Sequence, residues 1–557
     1  VPKKIKNASP GLLWDSDVRL LAWLATCVSV ISFLYYFQRG DVLLYGDAIA
    51  HLNIARRVFD SKTPGLLQLG TVWLPLPHLL MIPFLLSKEM WQRGVGGSIP
   101  SMVAYVFGVI GIFRLVRGAL SRGIEPDGAT RVAAWTAALV YAANPNLIYL
   151  QATAMGEAIY LAFFIWALVY VSESVHGDAK ALAKCGLCLA AACLTRYDGW
   201  FLAAAIAAAV ILWSAVSGPK FPTIRARRAA VVKFALIAAA APSLWLAYNA
   251  IVYRNPLEFA NGPYSAKAIE RRTQNGSNPG HPGSGNPLLA GMYFLKSAEV
   301  NLAENEGLQR IWVVLAGIGA VSGALGYRKL KVAPASRPVR LLPLFFLLIP
   351  IPFYALSVAY GGVPIFIPPW WPFTHYNVRY GLQLLPAFAA GLAILLHLVL
   401  QSAGWKPWAR LVCGSSVIAL VVVSYALVWR SGPVSLMEAQ INMRNRHQFE
   451  TQVAVWLQKL PADSTLLMYL GDHVGALQQA GIPLKCVINE GNHRTWRQPA
   501  DPDGLWERAL ADPARYADYV VAFEGDPVWQ AAQARHLQPL VEIHTTGQAQ
   551  AILYRAR

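Results

Sequence analysis

The chain has 557 residues, of which 55% are hydrophobic and only 14% charged, with a mean hydropathy of +0.39; soluble proteins carry roughly 25% charged residues, so a single soluble core is excluded and a membrane protein expected. Lysine plus arginine number 48 against 30 aspartates plus glutamates, a formal charge of +18, and the basic residues lie in short loops between apolar runs, which fits one face of a bilayer and argues against nucleic acid. Of six cysteines, Cys27, Cys185, Cys188, Cys193 and Cys413 lie in apolar runs and only Cys486 in polar sequence, leaving no disulfide framework outside the membrane.

A bilayer core of about 30 Å takes about 20 apolar helical residues. Eleven segments qualify, near 17–37, 99–118, 131–150, 157–175, 181–195, 199–217, 230–250, 308–327, 340–360, 380–401 and 410–429. The leading VPKKIK and the loops RLVRGALSRG (114–123), HGDAKALAK (176–184), GPKFPTIRARR (218–228), GYRKLKVAPASRPVR (326–340) and GWKPWAR (404–410) carry the basic residues expected on the cytosolic side. The extracytoplasmic side then receives a first outer loop at 38–98, turns at 151–156 and 196–198, an outer loop at 251–307, the stretch 361–379 and the tail from about 430. Within the first outer loop, WLPLPHLLMIPFLLS (73–87) is apolar but holds Pro75, Pro77 and Pro83, which predicts a helix in the interface rather than a crossing. RRTQNGSNPGHPGSGNP (271–287) is loop chemistry. Over 431–557 the composition turns soluble, and STLLMYLGD, DYVVAFEGDP, LVEIHTTGQ and QAILYRAR read as strands between helical runs. The expected fold is a polytopic α-helical membrane protein with about 11 transmembrane helices over 1–430 and a small C-terminal soluble α/β domain over 431–557.

Charged side chains at apolar boundaries are costly unless solvated, paired or used, and here they gather on the extracytoplasmic segments. Asp47 precedes AIAHLNIARRVF, whose apolar spacing suits an interfacial helix; a carboxylate there is either a helix cap or an active-site acid. His51 falls one turn later, within reach of Asp47, and the two alone make an incomplete metal set. Arg56, Arg57 and Lys62 follow, on the side where the positive-inside rule asks for no basic residues. Glu157 stands in MGEAIY, Arg196 and Asp198 in LTRYDGW where they can pair, and His375, Tyr376, Asn377 and Arg379 in FTHYNVRYG; His78 lies in the proline-containing segment. Trp370 and Trp371 in IPPWWPF read as belt residues. In the tail, YLGDH and NEGNHRTW place Asp472, His473, Glu490 and His493 in loops of the soluble domain. Two acids on separate outer segments beside several arginines suggest acid/base chemistry on an anionic ligand.

The acid of the first outer loop, WLPLPHLLMIPF as a proline-containing interfacial helix, SIPSMVAYVFGVIGIFRLVR as second span, MGEAIYLAFFIWAL with its acid before the fourth, LTRYDGW between the fifth and sixth, and NVRYGLQLLPAFAAGLA late in the bundle follow one another in a distinctive order. In that order and spacing, residues 15–430 resemble the GT-C superfamily of membrane glycosyltransferases, the protein O-mannosyltransferase and lipid A aminoarabinose transferase families above all; the tail is not covered. The resemblance implies an inverting transferase of the inner (plasma) membrane that moves a hexosyl or pentosyl unit from a polyprenyl-phosphate-linked donor to a protein, lipid or glycan acceptor on the outer face. It implies no required cofactor, leaves a divalent metal open, and makes membrane lipid, not nucleic acid, the surroundings. Asp47 becomes the general base and Glu157 a second active-site acid. Arg379 and Arg196, with Arg56 and Arg57 as helpers, become the donor-phosphate ligands, and His51, His78, Asp198, His375, Tyr376 and Asn377 further substrate contacts. Two departures, Ala48 where the family shows a second acid and Trp73 where the aminoarabinose transferase has lysine, shift the expected phosphate contacts towards Arg196 or Lys62. Two other classes fit part of the pattern. A polytopic transporter is opposed by the boundary placement of the charges and the absence of half-to-half similarity; a ligase or polymerase using lipid-diphosphate-linked glycans is favoured only by the long 251–307 stretch.

Overall fold

The computed structural model describes residues 15–121, 126–175, 178–216, 224–273, 280–329, 338–402, 404, 406–492 and 504–557. Helices run through the described residues of the eleven apolar segments, with 131–150 divided between Gly128–Ala142 and Pro145–Gln151. Eight described helical segments are long and apolar enough to cross a membrane: Ser16–Gln38, Val95–Leu120, Glu157–Val175, Arg225–Tyr253, Glu306–Leu325, Leu341–Tyr360, Val378–Gln401 and Pro407–Leu457. Gly128–Ala142, Ala179–Cys193 and Asp198–Val216 are the other three apolar helices of the bundle. At its centre stand Glu157–Val175 and Val378–Gln401, with 83% and 72% of their apolar windows buried inside the protein, whereas Ser16–Gln38 presents Leu20, Trp23, Ile31 and Leu34 outward, as a lipid-facing helix does. Small residues set how closely helices approach. A Cβ on Gly319 would collide with the carbonyl oxygen of Gly391, so the helices Glu306–Lys329 and Leu385–Gln401 cross with backbones in contact.

The proline-containing segment forms a helix over Leu76–Leu85 only, about 15 Å long at 1.5 Å per residue and half the thickness of a bilayer core. The 251–307 stretch is less of a loop than its composition suggests: Pro287–Val300 is a helix, capped by Asn286 and packed through Phe294 on Tyr354.

The C-terminal part builds a five-stranded sheet from β1 (Leu466–Met468), β2 (Val487–Ile488), β3 (Tyr519–Phe523), β4 (Gln538–Ile543) and β5 (Ala551–Arg555) in the order β2-β1-β3-β5-β4. β1 pairs in parallel with β2 and β3; β5 runs antiparallel to both of its neighbours. The chain leaves β1 for β2 on one side and returns to β3 on the other. The sheet is joined to the bundle by the helix Val434–Leu457 and by the first long loop. Asn53 donates to the Gln478 amide oxygen at 2.8 Å, Asp60 accepts from the Lys485 backbone at 3.0 Å, and Asn492 reaches Thr63 Oγ1 at 2.8 Å.

Candidate active site

One arginine organises the end of the bundle at which these segments meet. Arg379 opens the short turn Val378–Leu384, and Asn377 before it sits at φ +55°, a left-handed conformation that asparagine tolerates better than most residues. The turn aims two successive backbone N–H groups, of Asn377 and Val378, at the carboxylate of Glu438, 3.2 and 2.7 Å away. The guanidinium then spreads over three acids: Nη1 donates to Glu438 Oε1 at 2.5 Å, Nε to Glu157 Oε1 at 3.2 Å and Nη2 to Asp47 Oδ2 at 2.6 Å. Arg196 adds a second hub, donating to Glu157 Oε1 and Asp198 Oδ2, both at 3.3 Å, and to the Tyr354 hydroxyl at 2.9 Å; Tyr354 in turn donates to Asp198 Oδ2 at 3.1 Å. The Tyr380 ring lies 4.9 Å from Arg196 and 5.2 Å from Arg379, and the Tyr45 ring 5.0 Å from Arg379.

Burial in this network is graded. Glu157 and Glu438 side chains are 1% exposed and Arg379 7%, while Asp47 is 42% exposed. Asp47 therefore forms the mouth of a site whose floor is dry. Its position in the helix Gly46–Arg57 rules out the capping role: Tyr45 holds the cap position, no side chain caps there, and the Asp47 carboxylate goes to Arg379. Four carboxylates surround two guanidiniums, and Glu157 Oε2 and Asp198 Oδ1 are buried without a hydrogen-bond partner. Buried ionised groups are tolerated when paired and hydrogen-bonded; a surplus of acceptors is the arrangement expected of a site that awaits a donor-rich ligand.

The other expected site residues divide. His51 does not touch Asp47; its Nδ1 pairs with His78 Nε2 at 2.8 Å, with the Trp73 ring 4.9 Å from its own. Burial lowers the His51 imidazole from its ordinary value, against the opposing pull of Asp47 and Glu157. Arg56 turns away to Asp60 at 2.7 Å and to the Leu85 carbonyl, and Arg57 faces Glu490 at 3.7 Å, so Arg56 ties the first outer loop to itself and Arg57 ties it to the C-terminal part. Lys62 is exposed. Asn377 contributes backbone, its side chain donating to the Pro364 carbonyl at 2.9 Å. Tyr376 pairs with Phe366 through the backbone and leaves its ring 45% exposed. The His375 carbonyl accepts from Asn442, and burial lowers the imidazole. Trp370 packs on Tyr293 with centroids 5.0 Å apart. His493 and the Asp472 side chain lie outside the described residues. Among the described residues no three His, Cys, Asp or Glu side chains gather in a metal-holding group.

No family model matches the sequence, and no curated protein matches it. Solved structures do. ArnT from Cupriavidus metallidurans bound to undecaprenyl phosphate superposes with a TM-score of 0.55 at 15% identity, over 98% of this chain and 99% of that one, and the apo state of the same protein with 0.55 at 14% identity over 97% and 98%. The chain shares the fold of this ArnT, in line with the GT-C-like architecture that the sequence resemblance implies. An Archaeoglobus fulgidus oligosaccharyltransferase in the apo form aligns more loosely, with a TM-score of 0.48 at 11% identity over 91% of this chain and 69% of its own.

Within this GT-C fold the sequence singled out Asp47, Glu157, Arg196, Asp198 and Arg379, and the structure brings these five together. It missed Glu438. That residue lies beyond 430, where the composition turns polar, yet VSLMEAQ places a lone acid in an apolar turn of a helix that follows the last span after Gly432 and Pro433. Tyr354 and Tyr380 were also missed, and a tyrosine in an apolar run gives no signal to separate it from belt residues.

Proposed function

We propose that the protein is an inverting glycosyltransferase that moves a sugar from a polyprenyl-phosphate-linked donor to an acceptor at the extracytoplasmic face of the membrane. The observation that carries this reading is the half-exposed Asp47 held by the buried Arg379, at the mouth of a network that also contains Glu157 and Arg196. ArnT, which shares the fold, is a structure bound to undecaprenyl phosphate, and a lipid phosphate is the ligand that two converging guanidiniums recognise best.

In the resting site each of the three nitrogens of Arg379 donates to a carboxylate. Of the three, Asp47 is the one that solvent reaches, so an entering phosphate oxygen takes its place on Nη2 and leaves the Asp47 carboxylate free. A free carboxylate within hydrogen-bond reach of an acceptor hydroxyl takes its proton as the new glycosidic bond forms, a contribution of about 10²–10⁴-fold. Arg196 and Arg379 stabilise the negative charge that builds on the departing phosphate. The unpartnered oxygens of Glu157 and Asp198 accept hydroxyl protons of the sugar and fix its orientation. Attack and departure on opposite faces of the anomeric carbon give inversion in one displacement.

Asp47→Asn tests the base. With a polyprenyl-phosphate sugar as donor, turnover falls by about 10²-fold or more while the variant still binds donor; near-normal turnover by a folded Asp47→Asn protein contradicts the assignment.

A further inference from the structure

A cleft of about 460 Å³ opens at the C-terminal sheet, lined among the described residues by Tyr469 and His473 after β1, by Phe523 at the end of β3 with Glu524, Gly525, Asp526 and Pro527 after it, by Ala549, and by Pro263 and Tyr264 from the 251–307 stretch. Its place follows from the topology. β1 is flanked by β2 and β3, and the connection leaving β1 goes to β2 on one side while that leaving β3 goes to β4 on the other; such a switch point leaves a crevice beyond the carboxyl ends of the parallel strands, where ligands of open α/β sheets bind. Nothing in the transfer chemistry above uses it.

The lining has a definite chemistry. Tyr264, Tyr469, Phe523 and His473 supply ring faces, and the exposed Glu524 supplies acceptor oxygens. Asp526 adds negative charge although its carboxylate already caps the helix Pro527–Ala534. His473 brings no positive charge, because burial and the nearby Arg446 lower its imidazole to about 4. Aromatic faces beside a carboxylate suit the apolar C–H face and hydroxyl donors of a sugar ring; the same carboxylates repel a phosphate, and no lining residue is an arginine or lysine to hold one. The cleft is also connected to the catalytic end by contiguous contacts. His473 Nδ1 stands 3.9 Å from Glu450, Glu450 accepts from Arg446 at 2.9 Å, and Arg446 Nη1 lies 3.1 Å from where a Cβ on Gly46 would be, one residue before Asp47.

We infer that this cleft is a subsite for a saccharide unit of the acceptor, neutral or cationic on the face that enters, which presents the acceptor hydroxyl towards Asp47. The inference rests on the transferase reading above, which until this point leaves the acceptor's chemical class open. It gives the C-terminal sheet a task, and it explains why Tyr264, an exposed aromatic 51% accessible, faces the sheet from the segment between two spans.

Saturation-transfer NMR on the full-length protein in nanodiscs, with methyl β-glucoside, methyl β-glucosaminide and glucose 6-phosphate as probes, tests it. The two methyl glycosides bind, glucose 6-phosphate binds at least tenfold more weakly, and Glu524→Gln and Tyr264→Ala, both at exposed positions that leave the fold intact, weaken the glycosides about tenfold. Glycosides that fail to bind, bind equally well to both variants, or bind no better than the phosphorylated sugar overturn the subsite. Polyprenyl-phosphate binding by the same preparation reads the catalytic assignment separately. Lipid binding without glycoside binding removes the cleft alone, and glycoside binding without lipid binding leaves a saccharide site and removes the transferase.

Discussion

The two ends of the helical bundle solve the problem of burying arginine in different ways. At the end where Ser16–Gln38 begins, arginines meet acids in separate pairs: Arg114 with Glu173 at 3.3 Å, Arg117 with Asp15 at 2.6 Å and Arg131 with Asp17 at 2.6 Å. At the end where that helix finishes, Arg379 and Arg196 are shared among Asp47, Glu157, Asp198 and Glu438. Balanced pairs neutralise charge and tie helix to helix. A cluster in which four carboxylates share two guanidiniums gives up stability that a purely structural network would keep, and charged clusters of this kind mark functional sites.

The sharpest way to break this contrast is Arg379→Ala. It removes the guanidinium paired with Glu438 and leaves Glu157 to Arg196 alone in a dry environment, and removing one partner of a buried pair costs about 3–5 kcal/mol; a large drop in thermal stability together with loss of polyprenyl-phosphate binding is expected, and unchanged lipid binding would remove Arg379 from the phosphate site. Arg379→Lys keeps the charge but loses the three-way geometry, so it recovers part of the stability and little of the binding. Glu438→Gln comes next. The amide still accepts from one of the two backbone N–H groups but no longer balances Arg379, and a fall of about 10-fold in turnover is expected, of the size seen when a positioning group around a reactive centre is lost; donor KM should shift more than acceptor KM, which a merely structural role would not produce.

One histidine gives the C-terminal domain a pH signature of its own. His473 in the fold has its pKa lowered to about 4 by burial first and Arg446 second, while the unfolded imidazole titrates near 6.5, so between those values the unfolded chain binds more protons and stability falls as pH falls. His473→Gln should flatten that slope between about pH 6.5 and 4 in thermal melts, and an unchanged slope would show that another group sets it. The smallest effect belongs to the balanced end: Arg131 is 58% exposed, and Arg131→Ala should cost no more than about 1 kcal/mol in a stability measurement.

Legibility from sequence followed the same divide. Apolar length and proline content were enough for the helices and for the short Leu76–Leu85 helix, because twenty-residue runs and helix-breaking prolines act locally. The four longer strands could be read as short runs rich in aliphatic and aromatic residues between polar turns, whereas β2, only Val487–Ile488, is a strand by virtue of its neighbour β1. Asp47, Glu157 and Arg379 could be read because a charge at an apolar boundary stands out. Glu438 could not, since its importance comes from the turn at Asn377 that aims two N–H groups at it from sixty residues away in sequence. Arg56 and Arg57 show the converse: basic residues on the expected outer side have a structural explanation in Asp60 and Glu490, which a charge count has no means of supplying.

The central claim is that Arg379 and its acids receive a lipid phosphate, and native mass spectrometry of the protein purified from membranes tests it most directly. A polyprenyl phosphate, bare or carrying a sugar, should accompany the unaltered protein and be absent from Arg379→Lys. Recovery of ordinary phospholipids alone, or equal recovery of polyprenyl phosphate with both proteins, would contradict the account.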